Sequence, residues 1–183
     1  MRQLDFVGFD LETTNLNSDF SVILSACIKP FGKETIVFRA DEYNKDWVTG
    51  DRKNDKNITR AIIKELSKHA VIMGHYMTGF DIPYLNAKTV KYQLPALPTL
   101  FTLDTYNLAK QNIKVARRRL DALAGYFFGG KKSGVEGELW MKAAMNGDID
   151  ALDAIVKHNI QDVILLEQLA SSLFMFSKSM RKL

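Results

Sequence analysis

Four acids and one histidine stand at spacings that could do chemistry. Asp10 and Glu12, in "FDLETT", are two residues apart on an apolar run that reads as a strand. Residues i and i+2 share one face of a strand. Two adjacent carboxylates repel and are costly to desolvate unless something positive sits between them. A hard divalent cation, which takes oxygen ligands, answers that need. The plainer alternative is a strand end running out into water. Asp81, in "GHYMTGFDIPYL", stands at a helix entrance, where an aspartate can also be an ordinary cap or dipole partner. His158 and Asp162, in "KHNIQDV", are one helical turn apart and share a face. An imidazole with an ordinary pKa of about 6.5 suits proton movement near neutral pH; the alternative is a polar pair on a wet surface. Asp104, in "FTLDT", reads as the cap of the next helix.

The elements that must position these groups follow from periodicity. "FVGFD" is apolar on nearly every residue, as in a central strand buried on both faces. "FSVILSACIKPFGKETIVFRA" reads as two strands joined by a turn at Pro30 to Lys33, and "ADEYNKDWVTGDRKNDKN" as a loop. Ile58, Ala61, Ile62, Leu66 and Ala70 form a helical stripe. "VIMGH" is a short strand, "GFDIPYLNAKTVKYQL" a helix that tolerates Pro83 in its first turn, and "PTLFTLDT" another strand. Helices fill the rest, the longest with Leu152, Ile155, Val156, Ile160, Val163 and Leu166 on its buried stripe. Five strands result, and the first three are joined too tightly for parallel crossovers. The expectation is an α/β fold with a mixed sheet flanked by helices.

The 183 residues suit one domain, residues 1–183, with no linker or repeat to divide it. One cysteine, Cys27, excludes an internal disulfide. No run approaches a membrane span and no signal-like segment opens the chain, so a cytoplasmic location without membrane contact is expected. The net charge of +4 permits a polyanionic partner. Much of it lies in "ARRRL" (116–120), "GGKKSG" (129–134) and the tail "SKSMRKL", each of which could equally be a solvated face.

The conjunction of "FDLETT" at 9–14, "GHYMTGFDIPYL" at 74–85 and "HNIQDVILL" at 158–166 resembles the DEDD superfamily of 3′-5′ exonucleases, which have a ribonuclease-H-like fold. The likeness runs from about residue 4 to 176 and looks closest to the exonuclease domains of family B DNA polymerases and their stand-alone relatives. It implies two divalent cations, Mg²⁺ or Mn²⁺, held by Asp10, Glu12, Asp81 and Asp162. His158 would orient or deprotonate the attacking water. Thr13 and Leu16 would meet the terminal nucleotide, and Tyr76, Arg117, Arg118, Lys131 and Lys132 would contact the strand. The substrate implied is the 3′ end of single-stranded DNA.

Two departures from the family stand out. One branch places tyrosine four residues before the last aspartate, and the other places histidine five before it. This chain has histidine at the tyrosine spacing, with Lys157 at the other. One residue is about 100° of helix, so the positions are not interchangeable. Tyr76 stands where relatives usually carry asparagine. Three other readings remain open: an exoribonuclease, a degenerate nucleic-acid-binding module, and a structure-specific endonuclease.

Overall fold

The computed structural model describes residues 5–129 and 137–178, together with the backbone of residues 181–182. Its centre is one mixed sheet. β1 (Phe6–Thr13) pairs antiparallel with β2 (Ile23–Pro30), which pairs antiparallel with β3 (Ile36–Arg39). On its other side β1 runs parallel to β4 (Val71–Gly74), and β4 to β5 (Phe101–Asp104). These are the five strands and the mixed directions that the sequence implies. The basic tail adds one short piece: β6 (Arg181–Lys182) pairs antiparallel with Phe101 and Thr102, so the order is β3-β2-β1-β4-β5-β6.

The helices cover both faces. α1 (Ala40–Tyr43) is a single turn in the segment expected as loop. It is followed by α2 (Lys56–Leu66), α3 (Asp81–Tyr92), α4 (Thr105–Asn112) and α5 (Leu120–Phe128). α6 (Gly137–Met141) passes into a π-helical turn at Lys142–Asn146, where one continuous helix was expected. α7 (Ile149–Leu173) closes the series.

The main core sits between the sheet and α2 and α3, and includes Phe9, Leu11, Ile28, Ile58, Ile62 and Leu85. α7 lies across the other face of β1 and β2. Its stripe is buried at Leu152, Ile155, Val156, Val163 and Leu166, with Ile160 partly so. At about 1.5–3 kcal/mol for each fully buried large aliphatic, this stripe fixes how α7 is rotated, and hence which side chains it turns towards β1. No helix of the described residues is long and apolar enough to cross a membrane.

Candidate active site

β1, β4 and β5 run parallel, so their carboxyl ends lie along one edge of the sheet, where open α/β sheets place their sites. A β-bulge interrupts the β1–β2 ladder there: Glu12 faces Ser25 but Thr13 faces Ile23, leaving Leu24 as the extra residue. Bulges re-aim the side chains beside them, and this one lies directly after the Asp-x-Glu pair.

α7 crosses above that edge. His158 Nε2 is 3.7 Å from Asp162 Oδ2 and 3.9 Å from Glu12 Oε1. The ligand atoms of Glu12, His158 and Asp162 lie within 4.8 Å of one another, a group with the oxygen and nitrogen donors that a divalent ion takes. Lys157, the neighbouring position, points into solvent. The register of α7 therefore turns the histidine at the four-residue spacing inward and the five-residue position away. Trp140 of α6 meets the His158 ring edge to face, with centroids 6.0 Å apart.

Asp10 and Asp81 stand outside the 4.8 Å group, each held by a specific donor. Asn159 is wholly buried; its Nδ2 donates to Asp10 Oδ2 at 2.6 Å and its Oδ1 accepts from Ser25 Oγ at 3.1 Å. The sequence reading missed Asn159. The available signal was an amide adjacent to His158, one residue round the helix towards the sheet. Asp81 is also buried. Its Oδ1 accepts from the Leu11 N–H at 3.0 Å rather than capping α3, so it reaches back to the backbone of the residue that separates Asp10 from Glu12. Burial is the main cause that pushes its carboxyl up to about 8, opposed by hydrogen bonds from the Leu11 and Asp81 backbone and helped by the charges of Asp104 and Glu12. Cation binding nearby would oppose that rise.

The segment after β4 forms one wall. Asp104 caps α4 by accepting from the N–H groups of Tyr106 and Asn107, as its position predicts. It also accepts from Tyr76 N (3.0 Å), Thr78 N (3.0 Å) and Thr78 Oγ1 (2.7 Å), so one carboxylate fixes the turn as well as the helix. Tyr76 has φ 64°, a left-handed conformation unusual for a bulky residue. Its half-exposed ring stacks edge-on against Tyr106 and lies over Gly79, where an added Cβ would come within 2.5 Å of it. His75 bonds Thr105 Oγ1 at 2.9 Å and the Arg118 carbonyl at 2.7 Å. Burial lowers its pKa, which keeps the ring neutral near pH 7.

The remaining candidates fall around this centre. Leu16 is 77% exposed in the loop after β1, so it is not a core residue. Thr13 Oγ1 donates to the Asn15 carbonyl at 2.9 Å. Arg117 is exposed. Arg118 is half-buried, and its Nε has no hydrogen-bond partner among the described residues. Lys131 and Lys132 lie outside the described residues.

A solved structure of similar fold is the family B DNA polymerase from the hyperthermophilic archaeon Pyrobaculum calidifontis. The two superpose with a TM-score of 0.76 at 20% identity, over 94% of this chain and 25% of the polymerase. The chain thus spans about a quarter of that protein's length, and the likeness is one of fold. No curated protein matches the chain. A family model of the RNase_H superfamily, RNase_H_2, matches residues 7–174. RNase H-like nucleases act on nucleic acid with divalent metals, and the Glu12–His158–Asp162 group has donors suited to one. Fold and site together support a nuclease-type function. Running as it does from the first residues of β1 to the end of α7, the match shows that the chain belongs to the RNase_H superfamily.

Proposed function

We propose that the chain is a single metal-dependent 3′-5′ exonuclease domain that hydrolyses phosphodiester bonds from the 3′ end of single-stranded DNA. The observation that carries this reading is the convergence of β1 and α7. It brings Glu12, His158 and Asp162 within 4.8 Å, with Asp10 tied to the same helix by Asn159.

Asp10, Glu12 and Asp162 are the residues that would hold cations at the cleaved phosphate, with Asp81 supporting from beneath. Two bound divalent ions, Mg²⁺ or Mn²⁺, would supply positive charge to the reacting phosphoryl group and make water easier to deprotonate. His158 takes or directs the proton of the attacking water. Its Nε2 lies beside the Glu12 and Asp162 carboxylates and its ring meets Trp140 edge to face, contacts that orient the imidazole. Leu16 and Thr13 would meet the last nucleotide. Tyr76 would lie against the strand, and Arg117, Arg118, Lys131 and Lys132 would contact phosphates further along.

The test is incubation of 5′-labelled single-stranded DNA and RNA with Mg²⁺ or Mn²⁺. A ladder that shortens from the 3′ end, faster on DNA and abolished by EDTA, is the expected result. Cleavage of a circular single strand would make the chain an endonuclease, and a ladder on RNA alone would make it an exoribonuclease.

A further inference from the structure

A basic pocket of about 360 Å³ opens beside the end of β1. Arg52, Lys53 and Lys91 line it against a single acid, Asp19, and Thr14, two residues past Glu12, forms part of its edge. Phe20 stands at the rim, 80% exposed. None of these side chains belongs to the basic clusters at 116–120 and 129–134.

The pocket is built rather than accidental. Thr14 and Val22 close the loop beneath it, with Thr14 N donating to the Val22 carbonyl and Val22 N to Thr14 Oγ1, both at 3.1 Å. Ser21, the next residue after Phe20, is anchored from below. Its hydroxyl bonds Tyr84 Oη at 2.6 Å, and its carbonyl accepts from Lys88 Nζ. Lys88 is wholly buried and paired at 2.9 Å with Asp55, itself buried. On the far side the Arg52 guanidinium donates to the Trp47 carbonyl at 2.8 Å and the Ala144 carbonyl at 3.1 Å, so it braces the wall to the π-helical turn. Lys53 and Lys91 are left exposed at the mouth.

We propose that this pocket is a second subsite for single-stranded nucleic acid, with a base on the Phe20 ring and the adjoining phosphate between Lys53 and Lys91. The proposal rests on the exonuclease reading and names where the strand goes upstream of its 3′ end. An aromatic face beside cations suits any base, because every base has a π-face, and the phosphate contact makes binding salt-dependent. Lys91 lies ten residues along α3 from Asp81, about 15 Å at 1.5 Å per residue. A stacked strand advances about 3.4 Å per nucleotide, so the pocket lies about four steps from the terminal nucleotide, at roughly the fifth.

The test uses the full chain carrying Asp10→Ala, with 5′-fluorescein dT3 and dT12 followed by anisotropy over a range of salt. Lys53→Glu with Lys91→Glu should weaken dT12 about tenfold and reduce its salt slope by about 0.7, the value for one phosphate contact on a single strand. Phe20→Ala should weaken dT12 by about 5- to 150-fold, the range for one stacked base. Affinity for dT3, too short to reach the pocket, should not change. With Asp10 restored, turnover of the p-nitrophenyl ester of thymidine 5′-phosphate should also be unaffected by the lysine changes. Unchanged dT12 affinity and slope, or an equal loss on dT3, would overturn the subsite. Weakened dT12 binding by a chain whose wild type hydrolyses no strand would sustain the subsite and refute the exonuclease reading.

Discussion

A carboxylate that holds a cation has to be aimed, and Asp10 is aimed by an amide. Asn159 spends its donor on Asp10 and its acceptor on Ser25. Asn159→Ala should therefore weaken Mn²⁺ binding by about 10- to 100-fold, the usual cost of losing a partner to a ligand, with activity recovering at higher Mn²⁺. Unaltered Mn²⁺ affinity in a titration calorimeter would remove Asn159 from this role. For His158, replacement by alanine should cost roughly 10²- to 10⁴-fold in rate. Tyrosine at 158 should retain more than alanine. Lys157→His should not rescue His158→Ala, because position 157 faces solvent and lies about 100° round the helix; single-turnover rates of the three variants decide this. Asp81 gives a stability test. Its folded carboxyl titrates near 8, well above an unfolded aspartate. The folded chain thus keeps a proton the unfolded chain has lost, and this group makes stability fall as pH rises from about 4 to about 8. Metal-free Asp81→Asn should match wild type near pH 4 and exceed it increasingly towards pH 8, by on the order of 10 °C in Tm at about 1.4 kcal/mol per pH unit and about 2–4 °C per kcal/mol. A pH-independent difference would contradict the buried, protonated carboxyl.

Elements were legible where a single period governed them. The strands from "FVGFD" to "PTLFTLD" and the stripe of α7 followed from apolar spacing, because burial on a sheet or a helix face demands that spacing. The candidate site was legible to the extent that Asp10 and Glu12 stand near the end of a strand, Asp81 opens a helix, and Asp162 follows His158 by one helical turn. What stayed hidden depends on contacts distant in sequence. The bulge at Glu12 needs the pairing partner on β2 to be known. The second duty of Asp104, on the Tyr76–Thr78 turn, joins residues 26 and 28 positions apart. The buried Lys88–Asp55 pair is likewise invisible in a sequence where lysine reads as surface, yet it ties α3 to the start of α2 and to the loop after β1. Lys88→Met should cost about 3–5 kcal/mol, because it strands a buried carboxylate. A urea denaturation curve within 1 kcal/mol of wild type would show that Asp55 is solvated instead.

At the scale of the whole molecule, the sheet supplies one edge with acids from β1 and the start of α3, and α7 supplies the facing acid and imidazole. Local propensity could not show that the tail contributes β6, since two residues carry no periodic signal and depend on the open edge of β5. The net positive charge suits a polyanion, and the subsite beside Phe20 gives part of it a place to act. The central claim is that the Glu12–His158–Asp162 group, with Asp10 and Asp81, is a divalent-metal phosphodiesterase site. The most direct test pairs Mn²⁺ titration with hydrolysis of a 5′-labelled single strand, on one preparation each of wild type, Glu12→Gln and Asp162→Asn. The account predicts that both variants fold and melt like wild type or higher without metal, since each loses repulsion in the anionic cluster. Both should lose Mn²⁺ affinity and nearly all hydrolysis together. Near-wild-type hydrolysis in a variant that no longer binds Mn²⁺ would contradict it.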